Sequence, residues 1–210
     1  MITVTLTESL MAFTFAAALL TLTPGLDTAL VLRTAAVEGS KKALHAAFGV
    51  QAGCLTWGAM VAFSLGTLIA ASEMAYNILK WCGAAYLCWL GLQMVLKPRN
   101  ELVMGASEDA SKHQNWFLRG MLGNVLNPKI GVFYVSFLPQ FIPAGHSVVL
   151  WTYLLVLIHV FLCTLWSCAL IAATRPLSRF LRRGSVVKWM DRTTGVVFLA
   201  FAARLALSRR

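Results

Sequence analysis

Two short stretches of this chain place charge and helix-breaking residues together where neither is expected. Leu22-Thr23-Pro24-Gly25-Leu26-Asp27 interrupts an apolar run from about Leu10 to Leu32, and Asn127-Pro128-Lys129 interrupts another from about Phe117 to Phe141. A carboxylate within a membrane span costs several kcal/mol unless it is paired, protonated or hydrated, so Asp27 is a candidate proton carrier. Proline removes a backbone donor and clashes with the preceding turn, while glycine permits non-helical angles. Pro24 with Gly25 therefore predicts two half-helices. Freed amides at a helix start suit a carboxylate, and freed carbonyls suit an ammonium group or cation. Thr23 belongs to the same break. Around the second break, Gly120, Gly123, Asn124, Asn127 and Gly131 fall on one face of a helix, small enough for close approach and bearing amides for hydrogen bonds between spans. Lys129 could hold a solute carboxylate or neutralise Asp27. A proline kink and a structural ion pair are the plainer alternatives, but two kinks at matching places, each with a buried charge, favour a binding role.

Other polar residues in apolar runs carry weaker signals. Gln51 could line a cavity beside the Gly49/Gly53 pair, whose spacing first means helix packing. His159, with Cys163 four residues on, could relay protons or ligate a metal, although a lone histidine in a span is more often bonded to a neighbouring helix. The five cysteines, Cys54, Cys82, Cys88, Cys163 and Cys168, lie in apolar runs at no metal-ligand spacing. They read as buried thiols acting as small hydrophobes. No cofactor, metal or catalytic group is expected, since no nucleophile and base stand at productive spacing.

The elements that must position these groups follow from composition. Of 210 residues, 59% are hydrophobic and 12% charged, and the mean hydropathy of +0.72 lies above that of soluble domains. The expected class is an all-α polytopic membrane protein. Six apolar runs, about Ser9–Leu32, Ala43–Ala71, Ala75–Leu96, Phe117–Phe141, Val148–Ala173 and Val187–Leu207, are each long enough for a tilted span. The net charge of +10 resides in clusters between runs, which argues for topology and against a nucleic-acid partner. Basic first, third and fifth connections place those loops in the cytoplasm and both termini on the outer, periplasmic side. The N-terminus lacks the basic region of a signal peptide, so the first span is expected to be retained.

Residues 97–116 read as a cytoplasmic linker between a three-helix unit, 1–96, and a second, 117–210. An offset of 104 residues (128 minus 24) sets Pro24 against Pro128 and also Gly91 against Gly195. Three spans per half invert the second half relative to the first, the plan that places solute sites at mid-membrane on broken first and fourth helices.

Three stretches resemble the lysine exporter and homoserine/threonine-resistance superfamily of bacterial amino-acid exporters. They are Thr23-Pro24-Gly25 with Asp27, the run Gly83 to Gly91, and Asn127-Pro128-Lys129 followed by Phe137-Leu138-Pro139-Gln140-Phe141. Leu26 departs from the family pattern, which often has a second proline there, and a softer break is the expectation. The resemblance implies proton-driven export of amino acids across the bacterial inner membrane by a six-span homodimer. The reading is a secondary exporter of small neutral amino acids such as threonine or homoserine. Its rivals are a thiol-redox conduit, which would need a cysteine pair beside the prolines, and a non-transporting structural or assembly subunit.

Overall fold

A computed structural model describes residues 6–71, 73–98, 114–143, 145–174, 180 and 183–207. Among them there are eight α-helices and no strand: α1 (Leu6–Leu22), α2 (Leu26–Val37), α3 (Ser40–Ala71), α4 (Glu73–Leu96), α5 (Trp116–Val125), α6 (Pro128–Val132), α7 (Val148–Ala172) and α8 (Gly184–Leu207). Each expected apolar run corresponds to a helix or an interrupted chain of helices. Most of the expected linker, residues 99–113, lies outside the described residues.

By length and composition, α3 and α7 can each cross a membrane, and α1 with α2, bent by 51° at their junction, make a third candidate span. Large apolar side chains such as Phe15, Phe48, Phe161 and Leu165 are exposed on α1, α3 and α7, as suits helices whose solvent is lipid. The bend replaces the continuous helix with Thr23-Pro24-Gly25. Gly25 takes an extended conformation at the start of α2, with φ −144° and ψ −167°. Leu26 does not keep the helix running through.

The second interruption is longer than expected. α5 ends at Val125, Asn127 caps α6, and Pro128 occupies the first turn, where a missing N–H is harmless. Beyond α6 the backbone passes through a π-helical turn at Phe133–Phe137 and a 3-10 turn at Leu138–Phe141 containing Pro139. These turns carry rings that pack on α1 and α8. Phe13 meets Phe141 edge-on at 5.4 Å, Phe133 stacks on Phe137 at 4.8 Å, and Phe201 meets Phe137 edge-on at 4.4 Å. The Ser9 hydroxyl donates to the Phe141 carbonyl at 3.0 Å, fixing the start of α1 to this aromatic core.

The most extensive helix contacts are α3 with α5, α4 with α8, and α3 with α7. Lipid tails give no hydrophobic push between helices, so close approach comes from small residues. A Cβ on Gly120 would collide with the Ala46 carbonyl, and one on Gly49 with the Phe117 carbonyl. On α4 and α8, Gly91 and Gly195 face each other: a Cβ on either would stand 2.8 or 2.7 Å from the other's carbonyl oxygen.

Candidate functional site

The two breaks meet. A single cavity, offering about 50 Å³ to the centres of water molecules, is lined by Thr23, Gly25, Asp27, Asn124, Asn127 and Lys129 together with residues of α1, α3 and α7. A hollow of that size admits a few waters or a small polar head group.

The local chemistry follows from Pro24. In a continuous helix the Leu20 carbonyl would accept from the N–H four residues on, which Pro24 lacks. Lys129 supplies the replacement: its Nζ donates to the Leu20 carbonyl at 3.4 Å and to the Thr23 carbonyl at 3.2 Å. A cation thus sits at the C-terminal end of α1, where the helix dipole is negative. Asp27, in the first turn of α2, sits at the opposite, positive pole of its helix. Its carboxylate accepts from Asn124 Nδ2 at 2.9 Å and from Asn127 Nδ2 at 3.4 Å. Asn127 also accepts the Lys129 backbone N–H at 3.1 Å through its Oδ1, so one side chain caps α6 and reaches Asp27. Each break therefore holds the charge of the other.

Thr23 is buried. Its hydroxyl donates to the Leu19 carbonyl at 2.7 Å and is hydrogen-bonded to the Thr194 hydroxyl of α8. Pro24 lies buried beside it, and Pro128 opens α6 opposite. Asn124 is fully buried, and its Oδ1 packs against Gly53, where a Cβ would stand 2.6 Å away. Gln51 is buried and donates to the Thr164 hydroxyl at 3.3 Å; it is not among the residues of the cavity wall.

His159 is on that wall, bonded through Nδ1 to the Tyr134 hydroxyl at 2.9 Å and through Nε2 to Cys163 Sγ at 3.4 Å. Of the cysteines expected to be buried thiols, Cys54 is buried and Cys88 and Cys163 are partly so. Cys82 and Cys168 are exposed. Cys54 of α3 and Cys163 of α7 converge, and their sulfurs and a ring nitrogen of His159 all lie within 4.8 Å of one another. Spacing along the chain gave no sign of this because the two thiols sit 109 positions apart (163 minus 54) on different helices. Asp191 and Thr194 of α8, both buried, were also missed. Asp191 is a carboxylate inside an apolar run, the same signal that marks Asp27.

A family model described as LysE type translocator matches residues 18–209. A leucine efflux protein of Klebsiella pneumoniae is 33% identical over 88% of each chain. A threonine efflux protein of Salmonella typhi is 28% identical over 90% of this chain and 92% of its own. A homoserine/homoserine lactone efflux protein of Salmonella typhimurium is 34% identical over 62% of this chain and 63% of its own. No solved structure matches.

Proposed function

The chain belongs to the LysE type translocator family, a family of transporters rather than enzymes, and on that premise we propose that it exports small amino acids across the bacterial inner membrane by proton-coupled alternating access. The observation that carries this reading is the interlock of the two breaks around one cavity, with Asp27 held by Asn124 and Asn127, and Lys129 held by the carbonyls of Leu20 and Thr23. An entering zwitterion exchanges for these partners: its ammonium group against Asp27, its carboxylate against Lys129. Drawing Lys129 away uncaps α1, and protonating Asp27 weakens the bonds from both asparagines. Either event loosens one break from the other, and a ligand that favours the loosened form shifts the balance of states.

The proposed scaffold is six spans in two inverted halves, 1–96 and 117–210, joined by the 97–116 linker. Its support is one contact between positions 104 apart and a matched set of holders at the two breaks. Gly91 and Gly195 approach each other symmetrically, as residues related by an internal two-fold do near its axis. Leu20 and Thr23 hold Lys129, while Asn124 and Asn127, their counterparts at that offset, hold Asp27, the two charges themselves standing 102 apart (129 minus 27). Periplasmic termini and a homodimer complete the reading, the first from the basic connections and the second from the family resemblance.

The relatives are named for threonine, homoserine and leucine, and a cavity with one cation and one carboxylate suits an uncharged side chain. Counterflow of labelled threonine, homoserine, leucine and lysine in proteoliposomes tests this. Exchange of one or more neutral amino acids, with lysine slowest, is expected; no exchange of any neutral amino acid would contradict it.

A further inference from the structure

Cys54, Cys163 and His159 form a cluster that the solute reading does not use. Their donor atoms lie within 4.8 Å of one another, on adjoining helices, against the same cavity as Asp27 and Lys129. Two thiolates and an imidazole suit soft or borderline metals, and a zinc ion at about 2.3 Å from sulfur and about 2.0 Å from nitrogen holds its donors roughly 3.5–3.8 Å apart, a spacing this trio reaches by closing about 1 Å at most. The 3.4 Å from His159 Nε2 to Cys163 Sγ is already close to that of two ligands on one ion. Ligating histidines usually give their other ring N–H to an oxygen that fixes tautomer and orientation. Here that partner is present: Tyr134 Oη lies 2.9 Å from Nδ1, leaving Nε2 turned toward the thiols. Phe133 and Tyr134 hold the ring from the side, with centroids 5.5 and 5.6 Å from it.

We propose that Cys54, Cys163 and His159 bind one thiophilic metal ion, of the Zn²⁺ class, on the cavity wall. Each cysteine gives up its thiol proton as its sulfur bonds to the ion, so two protons leave on binding. Three protein donors leave a fourth position for water, the nearby Thr21 hydroxyl or a group of the solute. Thr21 Oγ1 is 3.7 Å from Cys163 Sγ. The ion joins α3 to α7. On the export reading above, these helices must shift against each other as the cavity changes sides, so an occupied site arrests transport.

The test uses the full-length, tag-free, reduced protein in detergent with Co²⁺ as a spectroscopic probe. The wild type should take up one Co²⁺ per chain with a thiolate-to-metal charge-transfer band that Zn²⁺ abolishes. The band should vanish in Cys54→Ser and Cys163→Ser, each checked for folding by its metal-free thermal melt. Tyr134→Phe, which keeps all three ligands, should bind about 10–100-fold more weakly. No thiolate band in the wild type, or an unchanged band in either cysteine variant, would overturn the site. The arrest is read separately, as Zn²⁺ inhibition of neutral amino-acid counterflow by the wild type. Full counterflow at saturating Zn²⁺ would overturn the arrest while leaving the site standing, and absent counterflow without metal would instead count against the export reading.

Discussion

Asp27 and Lys129 stand out in the sequence because charge is rare in apolar runs, and both line the cavity. Their immediate partners were harder to read. A free Leu20 carbonyl follows from the missing N–H of Pro24, yet nothing along the chain says that Lys129 serves it and the Thr23 carbonyl at the end of α1. Replacing Lys129 with Met removes charge-assisted bonds to two carbonyls, and a hydrogen bond to a charged group is worth about 1.5–3 kcal/mol. Lys129→Met should therefore lower the thermal midpoint in detergent and weaken binding of a neutral amino acid; an unchanged melt and affinity would show that the ammonium group caps nothing. The cluster of Cys54, Cys163 and His159 was legible in part: His159 and Cys163 stand four apart on α7, one turn of the same face. Cys54 comes from α3 and joins them only by tertiary packing, and periodicity reports a helix face without naming the face opposite.

The helices themselves were largely legible, since six apolar runs with turn-forming residues between them leave little choice of element. Fine backbone structure was not. The π-helical and 3-10 turns at Phe133–Phe141 lie in a run that reads as plain helix, where only Pro139 marks a disturbance. The first break bends by 51° with Leu26 where the family often has a second proline. Leu26 is the first residue of α2, where proline is favoured, and the extended Gly25 before it already has the conformation proline demands of its neighbour. Leu26→Pro should consequently be neutral or stabilise by about 0.4–1 kcal/mol, and a clear drop in melting temperature would refute that account of the break. The α3–α5 contact gives a matched pair of tests. Gly120→Ala drives a methyl group into the Ala46 carbonyl and should cost about 1–3 kcal/mol, whereas Gly123→Ala, with nothing within 4 Å, should cost nothing. Equal melts for the two variants would mean that α3 and α5 do not approach at Gly120.

At the scale of the molecule, the two breaks are one device. A proline in the first half leaves carbonyls that a lysine of the second half occupies, and two asparagines of the second half hold the carboxylate of the first. The offset linking Pro24 to Pro128 was visible in the sequence; the reciprocal contact of Gly91 with Gly195 at that offset became visible only in three dimensions. On the export reading proposed above, such a device would bind a zwitterion by exchanging partners, and it would respond to protons only if the carboxylate in it can be neutralised. The most direct measurement is uptake of labelled neutral amino acid into everted membrane vesicles under an imposed pH gradient, comparing the wild type with Asp27→Asn. The wild type should accumulate solute against its gradient, and Asp27→Asn, properly folded and inserted, should lose that accumulation. Undiminished pH-driven accumulation by Asp27→Asn would contradict the account.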